Sequence, residues 1–247
     1  MKIIGISGRK QSGKNTIANY INGDILLKNS MISDFYIDEL GKLIINTTNS
    51  SGESGFGEFD VTRKDSEFIE YAERELWPYV KVYHFADPLK EMSINLFGLN
   101  PQEVYGDDNQ KNMKTHIKWE SMPDNINNKT GNMTNREFLE YFGTNIVRKI
   151  KTDAWSEFTI KRILAQKSEI AIIPDVRFPN EVDVIKKNGG IIIRLTRNVF
   201  DSNADAETAL DNDRFNWDIF DVVIDNQDMS LAELCDYLKN NYFLWRN

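Results

Sequence analysis

A glycine-rich turn follows directly on a short apolar run near the start of the chain. Residues 3–7 (IIGIS) have the length and the β-branched content of a buried strand, and residues 8–14 (GRKQSGK) match the pattern G-x-x-x-x-G-K. Ile17 and Ile21 are then spaced for one face of a helix that begins near Lys14. A strand, this loop and a helix, in that order, are typical of a Walker A loop, which binds phosphate.

The residue types in this loop suit phosphate binding. Gly8 and Gly13 let the backbone curl so that successive N–H groups converge on phosphate oxygens, and Lys14 can neutralise the β- and γ-phosphates. The strict motif has Ser or Thr after the lysine to bind Mg²⁺, whereas this chain has Asn15, and Thr16 points in another direction on the helix. A plain glycine-rich turn with an incidental lysine is the competing interpretation, and the surrounding strand and helix favour nucleotide binding.

Further apolar runs predict the rest of a sheet. Four runs are predicted to form buried strands, at residues 80–85, 170–173, 190–195 and 222–224. Capping-box spacing predicts helix starts at two pairs, Thr134 with Glu137 and Ser230 with Glu233. The second helix has an apolar set of Leu231, Leu234, Leu238 and Tyr242. The expected fold class is α/β, a P-loop three-layer fold with a central five-stranded parallel sheet and polar lid or insertion segments.

Two polar stretches interrupt this pattern. Residues 46–57 are rich in Ser, Gly, Asn and Thr and are predicted to be a mobile loop or a disordered tip. Residues 106–132 are also polar and suggest a flap or insertion rather than core. With 247 residues, the chain is long enough for one enlarged domain, so we expect a single domain over residues 1–247.

Composition excludes several classes of protein. The single cysteine, Cys235, excludes a disulfide framework and a Cys-rich zinc site, and it suits the reducing cytoplasm. Lys and Arg number 30 against 38 Asp and Glu, and the net charge of −8 disfavours broad binding to nucleic acid or to an anionic membrane. No apolar run approaches the ~20 residues of a membrane span. The expected location is cytoplasmic, and the sequence leaves a homodimer open.

An acid and an arginine follow the predicted strand at residues 170–173. Asp175 and Arg177 would lie past its carboxyl end, which is the edge of a doubly wound sheet where ligands bind. Asp175 has three interpretations: it holds Mg²⁺ through water, it holds an arginine or a substrate hydroxyl, or it caps the next helix.

Arginines accumulate in the second half of the chain. Arg136 and Arg148 are twelve residues apart, near three helical turns, so one helix face could present both. Arg177, Arg194 and Arg197 surround the third and fourth predicted strands, and guanidinium groups match the oxygens of a transferring phosphoryl group. Arg194 lies within a strand pattern and has a structural alternative.

An ordered set of motifs extends the pattern over most of the chain. In order they are GRKQSGKNT at 8–16, FADPLK at 85–90, FGTNIVR at 142–148, DAW at 153–155 and PDVRFPNE at 174–181. This set resembles the deoxynucleoside monophosphate kinases of tailed phages, in the P-loop nucleoside monophosphate kinase group. Residues 28–76 fall outside the resemblance and look like an insertion after the first helix.

The resemblance implies transfer of the ATP γ-phosphate to a deoxynucleoside 5′-monophosphate, with Mg²⁺. The implied ATP-binding residues are Gly8, Ser12, Gly13, Lys14, Asn15, Thr16 and, beside the adenine, Asn226. The implied substrate-binding residues are Lys10, Asp87, Lys90, Arg136, Gly143, Thr144, Arg148, Trp155, Asp175, Arg177 and Glu181. The implied catalytic residues are Lys14, Arg136, Asp175 and Arg177, with Asp175 as a metal ligand through water.

Two segments would then cover the bound nucleotides, residues 106–132 and 198–212. The second resembles the lid of the family, although the His-Ser-Glu pattern of that lid is here Asp205-Ala206-Glu207. Closure of both segments would exclude water, which is a competing acceptor.

Two other functions remain open from the sequence. One is a kinase of the same fold acting on another phosphate ester, such as dephospho-coenzyme A or phosphomevalonate, because fold does not determine the acceptor. The other is a noncatalytic nucleotide-binding module. Asn15 in place of Ser or Thr supports the module, whereas the arginines and the second phosphate-site motif favour an enzyme.

Overall fold

A computed structural model describes residues 1–48, 52–125, 128–199, 204–241 and 243–246, with backbone only at 205 and 206. The strands are β1 (Lys2–Ser7), β2 (Asp34–Ile37), β3 (Leu43–Thr48), β4 (Ser54–Glu58), β5 (Val80–Val82), β6 (Lys114–Lys118), β7 (Asn132–Thr134), β8 (Ile170–Val176), β9 (Ile191–Leu195) and β10 (Val222–Ile224). The helices are α1 (Lys14–Lys28), α2 (Ser66–Glu75), α3 (Asp87–Phe97), α4 (Pro101–Tyr105), α5 (Asp108–Lys111), α6 (Asn135–Glu140), α7 (Arg148–Ile150), α8 (Ala154–Gln166), α9 (Pro179–Lys187), α10 (Asp205–Thr208), α11 (Leu231–Asn240) and α12 (Phe243–Arg246).

The chain forms two compact units. The first contains Met1–His84 and Ile160–Asn247, and the second contains Phe85–Thr159. The first unit is built on a sheet with strand order β10-β9-β1-β8-β5, in which every neighbouring pair is parallel. The predicted α/β fold with a central five-stranded parallel sheet is confirmed. The predicted single domain over residues 1–247 stays a prediction.

Helices cover both faces of this sheet. Ile4 and Ile6 of β1 belong to the same buried cluster as Ile17 of α1. A Cβ placed on the intervening Gly5 would lie 2.8 Å from Cδ1 of Ile185 in α9. Because successive strand residues point to opposite faces, α1 and α9 lie on opposite sides of the sheet, which gives the three layers that the sequence predicts.

Strand β8 is longer than predicted, because Pro174 does not end it. The pairing of β8 with β5 stops at Ile172, and its register with β1 shifts between Gly5, opposite Ile173, and Ser7, opposite Val176. The N–H that proline lacks therefore falls at an irregularity, where a ladder tolerates its loss. The prediction that β8 ends before Pro174 is wrong.

The segment predicted as a loop over residues 46–57 is part of a second sheet. Strands β2, β3 and β4 form an antiparallel sheet, and β3 pairs with β4 from Ile44 with Glu58 to Thr48 with Ser54; residues 49–51 lie outside the described residues. All five residues of β4 are exposed, so hydrogen bonds with β3 hold this strand rather than burial of its side chains. Composition could not reveal such a strand. The assignment of residues 28–76 as an insertion stays a prediction.

The second unit has its own aromatic core. Trp119, Met133, Phe138 and Tyr141 are buried together, and β6 pairs antiparallel with β7. Residues 106–132 were expected outside the core, yet this segment contributes Trp119, which is only 9% exposed. Residues 126–127 of that segment lie outside the described residues.

Both predicted capping boxes are present. The Thr134 hydroxyl accepts the Glu137 N–H at 3.0 Å, and the Glu137 carboxylate accepts the Thr134 N–H at 2.9 Å. Ser230 and Glu233 cap α11 in the same way. Leu234 and Leu238 are buried as the pattern predicts, and Tyr242 lies outside the described residues.

The helix that begins at Thr134 does not continue as a regular α-helix. A π-helical segment, Tyr141–Val147, separates α6, with Arg136, from α7, with Arg148. A π-helix bonds i to i+5, so twelve residues no longer correspond to three α-helical turns. The prediction that one continuous helix face presents both arginines is wrong.

Among the described residues, no helix has both the length and the apolar character that crossing a bilayer demands.

Candidate active site

The loop between β1 and α1 depends on its two glycines. Gly13 has φ 101°, a conformation that side chains strongly disfavour, and it stands at the N-cap of α1. A Cβ on Gly8 would collide with the Ser12 hydroxyl and lie 3.1 Å from Cβ of Leu195. The loop therefore curls in the way that the sequence predicts from these glycines.

This curled loop fits a phosphate group. The Ser12 hydroxyl is buried and has no hydrogen-bond partner among the described residues. Such groups are rare, because a buried polar atom normally finds a partner. Helix α1 has no side-chain N-cap and no acidic residue in its first turn, so its first N–H groups are suited to an anion.

Lys14 extends back into its own loop. Its ammonium donates to the carbonyls of Gly8 at 2.7 Å and Arg9 at 2.6 Å, and the residue is only 9% exposed. Burial, followed by repulsion from Arg177 and then Arg194, lowers the pKa of Lys14 from 10.5 to about 8. The loop thus surrounds the Lys14 ammonium, and the positive charges of Arg177 and Arg194 act on this ammonium.

Arg177 directly follows β8, and its guanidinium is bound by a carboxylate from the connection between β9 and β10. Arg177 Nη1 donates to Glu207 Oε1 at 2.9 Å. The other oxygen, Glu207 Oε2, accepts the backbone N–H of Lys10 at 2.5 Å. Glu207 therefore joins the phosphate loop to Arg177.

Asp175 does not cap the next helix. It lies within β8 and is half-buried, and its charge raises the pKa of Lys14, so its field reaches the loop. Phe178 is the N-cap residue of α9, and the buried Glu181 carboxylate accepts the N–H groups of Arg177 at 2.8 Å and Phe178 at 3.1 Å. The capping interpretation of Asp175 is wrong, and capping is instead a role of Glu181.

A second carboxylate, Asp211, binds two arginines near the loop. Arg9 forms an ion pair with Asp211, and Arg194 Nη2 donates to Asp211 Oδ1 at 3.2 Å. Arg194 also donates to the Ser7 hydroxyl at 3.0 Å and is buried beneath Trp217, whose ring centroid is 5.2 Å from the guanidinium carbon. The structural alternative for Arg194 is confirmed.

Asn226 braces the loop from the end of β10. It is fully buried, its amide donates to the Ser12 carbonyl at 2.8 Å, and its amide oxygen accepts the Arg197 N–H at 2.9 Å. Arg197 returns a bond from Nε to the Asn226 carbonyl at 3.0 Å. The predicted contact of Asn226 with adenine stays a prediction, and the brace is a role that the sequence did not indicate.

Sequence analysis did not predict the pairing of Arg9 with Asp211 or the contacts of Glu207. Glu207 was noted only as part of a predicted lid, and residues 200–203 of that lid lie outside the described residues. Arg9 and Asp211 are 202 positions apart, so no local spacing could have paired them.

Oxygen donors suited to Mg²⁺ lie on two elements. Asn15 is exposed at the start of α1, and Asp175 lies at the end of β8. Thr16 is turned toward the loop between β2 and β3, because a Cβ on Gly41 would lie 2.6 Å from the Thr16 hydroxyl. In the part of the chain that the structure describes, no group of three or more His, Cys, Asp or Glu residues could hold a metal ion without other ligands.

Seven of the predicted substrate residues belong to the second unit. Arg136 bonds Asp108 at 2.7 Å and Asn112 at 3.2 Å, and the Arg136 side chain is 40% exposed. The Lys90 ammonium lies 4.8 Å from the centre of the Tyr105 ring. The remaining members are the buried Asp87 in the first turn of α3, the exposed Thr144, the half-buried Arg148, Gly143 and Trp155.

Gly143 and Trp155 form one structural contact. The Trp155 indole N–H donates to the Gly143 carbonyl at 3.2 Å, within the π-helical segment. A Cβ on Gly143 would lie 2.7 Å from Cδ2 of Leu89, so the π-helical segment approaches α3 closely at this glycine. Their predicted contact with substrate stays a prediction.

A parallel sheet whose first strand leads through a G-x-x-x-x-G-K loop into a helix defines a P-loop nucleotide-binding protein. The sequence model of the family "Deoxynucleotide monophosphate kinase" matches residues 2–237, so the chain belongs to this family. A protein of Acanthamoeba polyphaga mimivirus named "Putative deoxynucleotide monophosphate kinase" is 26% identical over 197 residues, which are 80% of this chain and 75% of that protein. The protein is a phosphotransferase acting on deoxynucleoside monophosphates, and the predicted resemblance is confirmed.

The lowered pKa of Lys14 predicts a pH-dependent donor affinity. Burial disfavours the charged ammonium, so kcat/KM for the nucleoside triphosphate should fall as the pH rises through about 8, because the neutral amine no longer attracts phosphate. Lys14→Arg should remove this fall, since guanidinium stays charged. Steady-state kinetics across this pH range measure both, and a flat wild-type profile would contradict the assignment.

The hydrogen bond from the Asn226 amide to the Ser12 carbonyl predicts what happens when the Asn226 side chain is removed. Asn226→Ala leaves the Ser12 carbonyl without its donor, and we expect affinity for inorganic pyrophosphate to fall about tenfold, or about 1.4 kcal/mol. Gln227→Ala, which loses only an exposed bond to the Asn198 N–H, is the control and should bind normally. Unchanged pyrophosphate binding with altered preference among triphosphate bases would instead support the adenine contact.

Proposed function

We propose that the protein transfers the γ-phosphate of ATP to a deoxynucleoside 5′-monophosphate, giving ADP and a deoxynucleoside diphosphate, with Mg²⁺ as the metal ion. The observation that carries the proposal is the curled loop with an unpartnered buried Ser12 hydroxyl and the Lys14 ammonium inside it, in a chain of this family. A loop of this kind supports binding of a polyphosphate donor.

The loop and the start of α1 would bind the donor phosphates. Backbone N–H groups, the first turn of α1 and the Ser12 hydroxyl supply hydrogen bonds, and the Gly8 and Gly13 conformations make room for the oxygens. Lys14 would exchange its two loop carbonyls for phosphate oxygens and offset their charge. Asn226 would keep the loop curled through its bond to the Ser12 carbonyl.

The donors in this chain fit Mg²⁺, which prefers oxygen ligands and keeps several waters. The Asn15 amide oxygen and the Asp175 carboxylate would hold the ion together with donor phosphates, Asp175 through a water. When bound, the ion supplies positive charge to the phosphate oxygens. A site that relies on substrate oxygens needs no closed cluster of protein carboxylates.

Arg136 would bind the acceptor phosphate, and Arg177 would bind both the acceptor phosphate and the terminal phosphoryl group that is transferred to it. The Arg177 side chain is 40% exposed, so a ligand can reach its guanidinium group, and the Arg136 side chain has the same exposure. Planar guanidinium groups bind phosphate through paired hydrogen bonds and offset the charge that spreads over the transferring oxygens. The other members of the proposed substrate set are Lys10, Asp87, Lys90, Gly143, Thr144, Arg148, Trp155, Asp175 and Glu181.

The remaining task of the protein is positioning. Phosphoryl transfer requires the acceptor oxygen in line with the γ-phosphorus and little covalent participation by side chains. Residues 106–132 and 198–212 are proposed to exclude water from the reaction. The cytoplasmic location and the lack of a nucleic-acid partner stay predictions. A homodimer also stays untested.

Steady-state kinetics with a panel of acceptors test the function. We expect ADP formation that depends on added dTMP, dGMP, dCMP or dAMP, and none that depends on dephospho-coenzyme A or phosphomevalonate. Lys14→Met should lower kcat/KM by about 10³-fold, or about 4 kcal/mol, whereas Lys28→Met at the exposed far end of the same helix should not. Turnover only with an ester, or donor binding without any acceptor-dependent ADP, would overturn the proposal.

The role of Arg136 has a matched control in its own ion pair. Arg136→Ala should raise the KM for the deoxynucleoside monophosphate about tenfold, or about 1.4 kcal/mol, and leave the KM for ATP nearly unchanged, because only the acceptor loses a cation. Asp108→Ala removes the same ion pair but keeps the guanidinium, so its acceptor KM should stay near wild type. Equal effects of the two substitutions would show that the ion pair, not phosphate binding, is what matters.

A further inference from the structure

The Glu207 carboxylate is bound by groups that ordinarily bind phosphate. One oxygen accepts a backbone N–H of the phosphate loop, that of Lys10, at 2.5 Å. The other accepts a guanidinium N–H of Arg177 at 2.9 Å. The Glu207 side chain is only 13% exposed, and the two bonds hold its carboxylate in a defined place.

The charge of Glu207 also reaches the loop lysine. It raises the pKa of Lys14, whereas Arg177 and Arg194 lower it. A single carboxylate is thus bonded to a loop N–H and a guanidinium, and its charge acts on a nearby ammonium. This combination of donors is the one that a terminal phosphate meets in a phosphoryl-transfer site.

We infer that Glu207 occupies the subsite of the donor's terminal phosphate and is displaced from Lys10 N–H and Arg177 when a polyphosphate binds. The inference rests on the proposed function, because it assigns a place within the same site. Glu207 is then an affinity-determining residue: it competes with the ligand for the same donors. Its carboxylate and the incoming phosphate cannot share these donors without strong repulsion between like charges.

The neighbouring carboxylate, Asp211, has a different role. It binds Arg9 and Arg194, and the Arg194 side chain is only 4% exposed beneath Trp217. Arg177, the partner of Glu207, is 40% exposed and can be reached by a ligand. Asp211 therefore anchors the connection between β9 and β10, while Glu207 holds a position that a ligand can take.

Competition of this kind has a measurable consequence. A polyphosphate carries more charge than one carboxylate and makes more charge-assisted bonds, so it can displace Glu207, but part of its binding free energy is spent on that exchange. When the charge of Glu207 is removed, the ligand no longer has to displace a carboxylate, so it should bind more tightly. The substitution Glu207→Gln keeps the shape of the side chain and removes the charge.

Isothermal titration calorimetry with inorganic pyrophosphate, in the absence of metal, tests the inference on the full chain. We expect Glu207→Gln to bind pyrophosphate about tenfold more tightly than wild type. Asp213→Asn is the matched control, because it makes the same change of charge at an exposed position of the same connection, and its affinity should stay within about twofold of wild type. Glu207→Ala should also bind more tightly, and circular dichroism verifies that each variant is folded.

Other outcomes separate this inference from the proposed function. Unchanged or weaker pyrophosphate binding by both Glu207 variants, with a lower kcat, would overturn the inference and make Glu207 a positioning residue for Arg177. An equal gain from Asp213→Asn would reduce the effect to general charge and also overturn it. Tighter pyrophosphate binding in a protein that shows no acceptor-dependent ADP formation would support the inference and reject the proposed function.

Discussion

The hydrogen bonds between the Lys14 ammonium and the carbonyls of Gly8 and Arg9 are the interaction on which the rest of the site depends. They close the loop into a ring around a cation, and the left-handed conformation of Gly13 lets α1 begin directly after it. The Asn226 amide fixes the same loop from outside through the Ser12 carbonyl. The curled shape of the loop is therefore held by bonds within the protein itself.

A strongly acidic chain can still build an anion site, because its carboxylates are placed as partners of the cations. The net charge is −8, yet Arg177 and Arg194 act on the loop lysine, and Arg9 acts on Arg194. Glu207 and Asp211 bind these arginines and offset their mutual repulsion. Overall charge thus describes how the protein interacts with large polyanions, while the local arrangement determines how it meets a small phosphate ligand.

The sequence predicted the features that depend on local pattern. The strand, loop and helix around Lys14, the five-stranded parallel sheet and both capping boxes follow from periodicity and from residue chemistry at fixed short spacing. It did not predict β4, because five exposed residues leave no burial pattern, or the π-helical segment, because an i to i+5 helix has no distinct composition. The bonds of Asn226 to Ser12 and of Glu207 to Lys10 join residues about two hundred positions apart, which no spacing rule reaches.

Those long-range bonds have a consequence for how the protein is made. The nucleotide loop is translated about two hundred residues before Asp211 and Asn226, which bind it. Nascent chains that end before β10 carry the whole phosphate-binding motif without the side chains that shape it. We therefore expect the full affinity for nucleotide only after β10 has been made and has joined the parallel sheet beside β9.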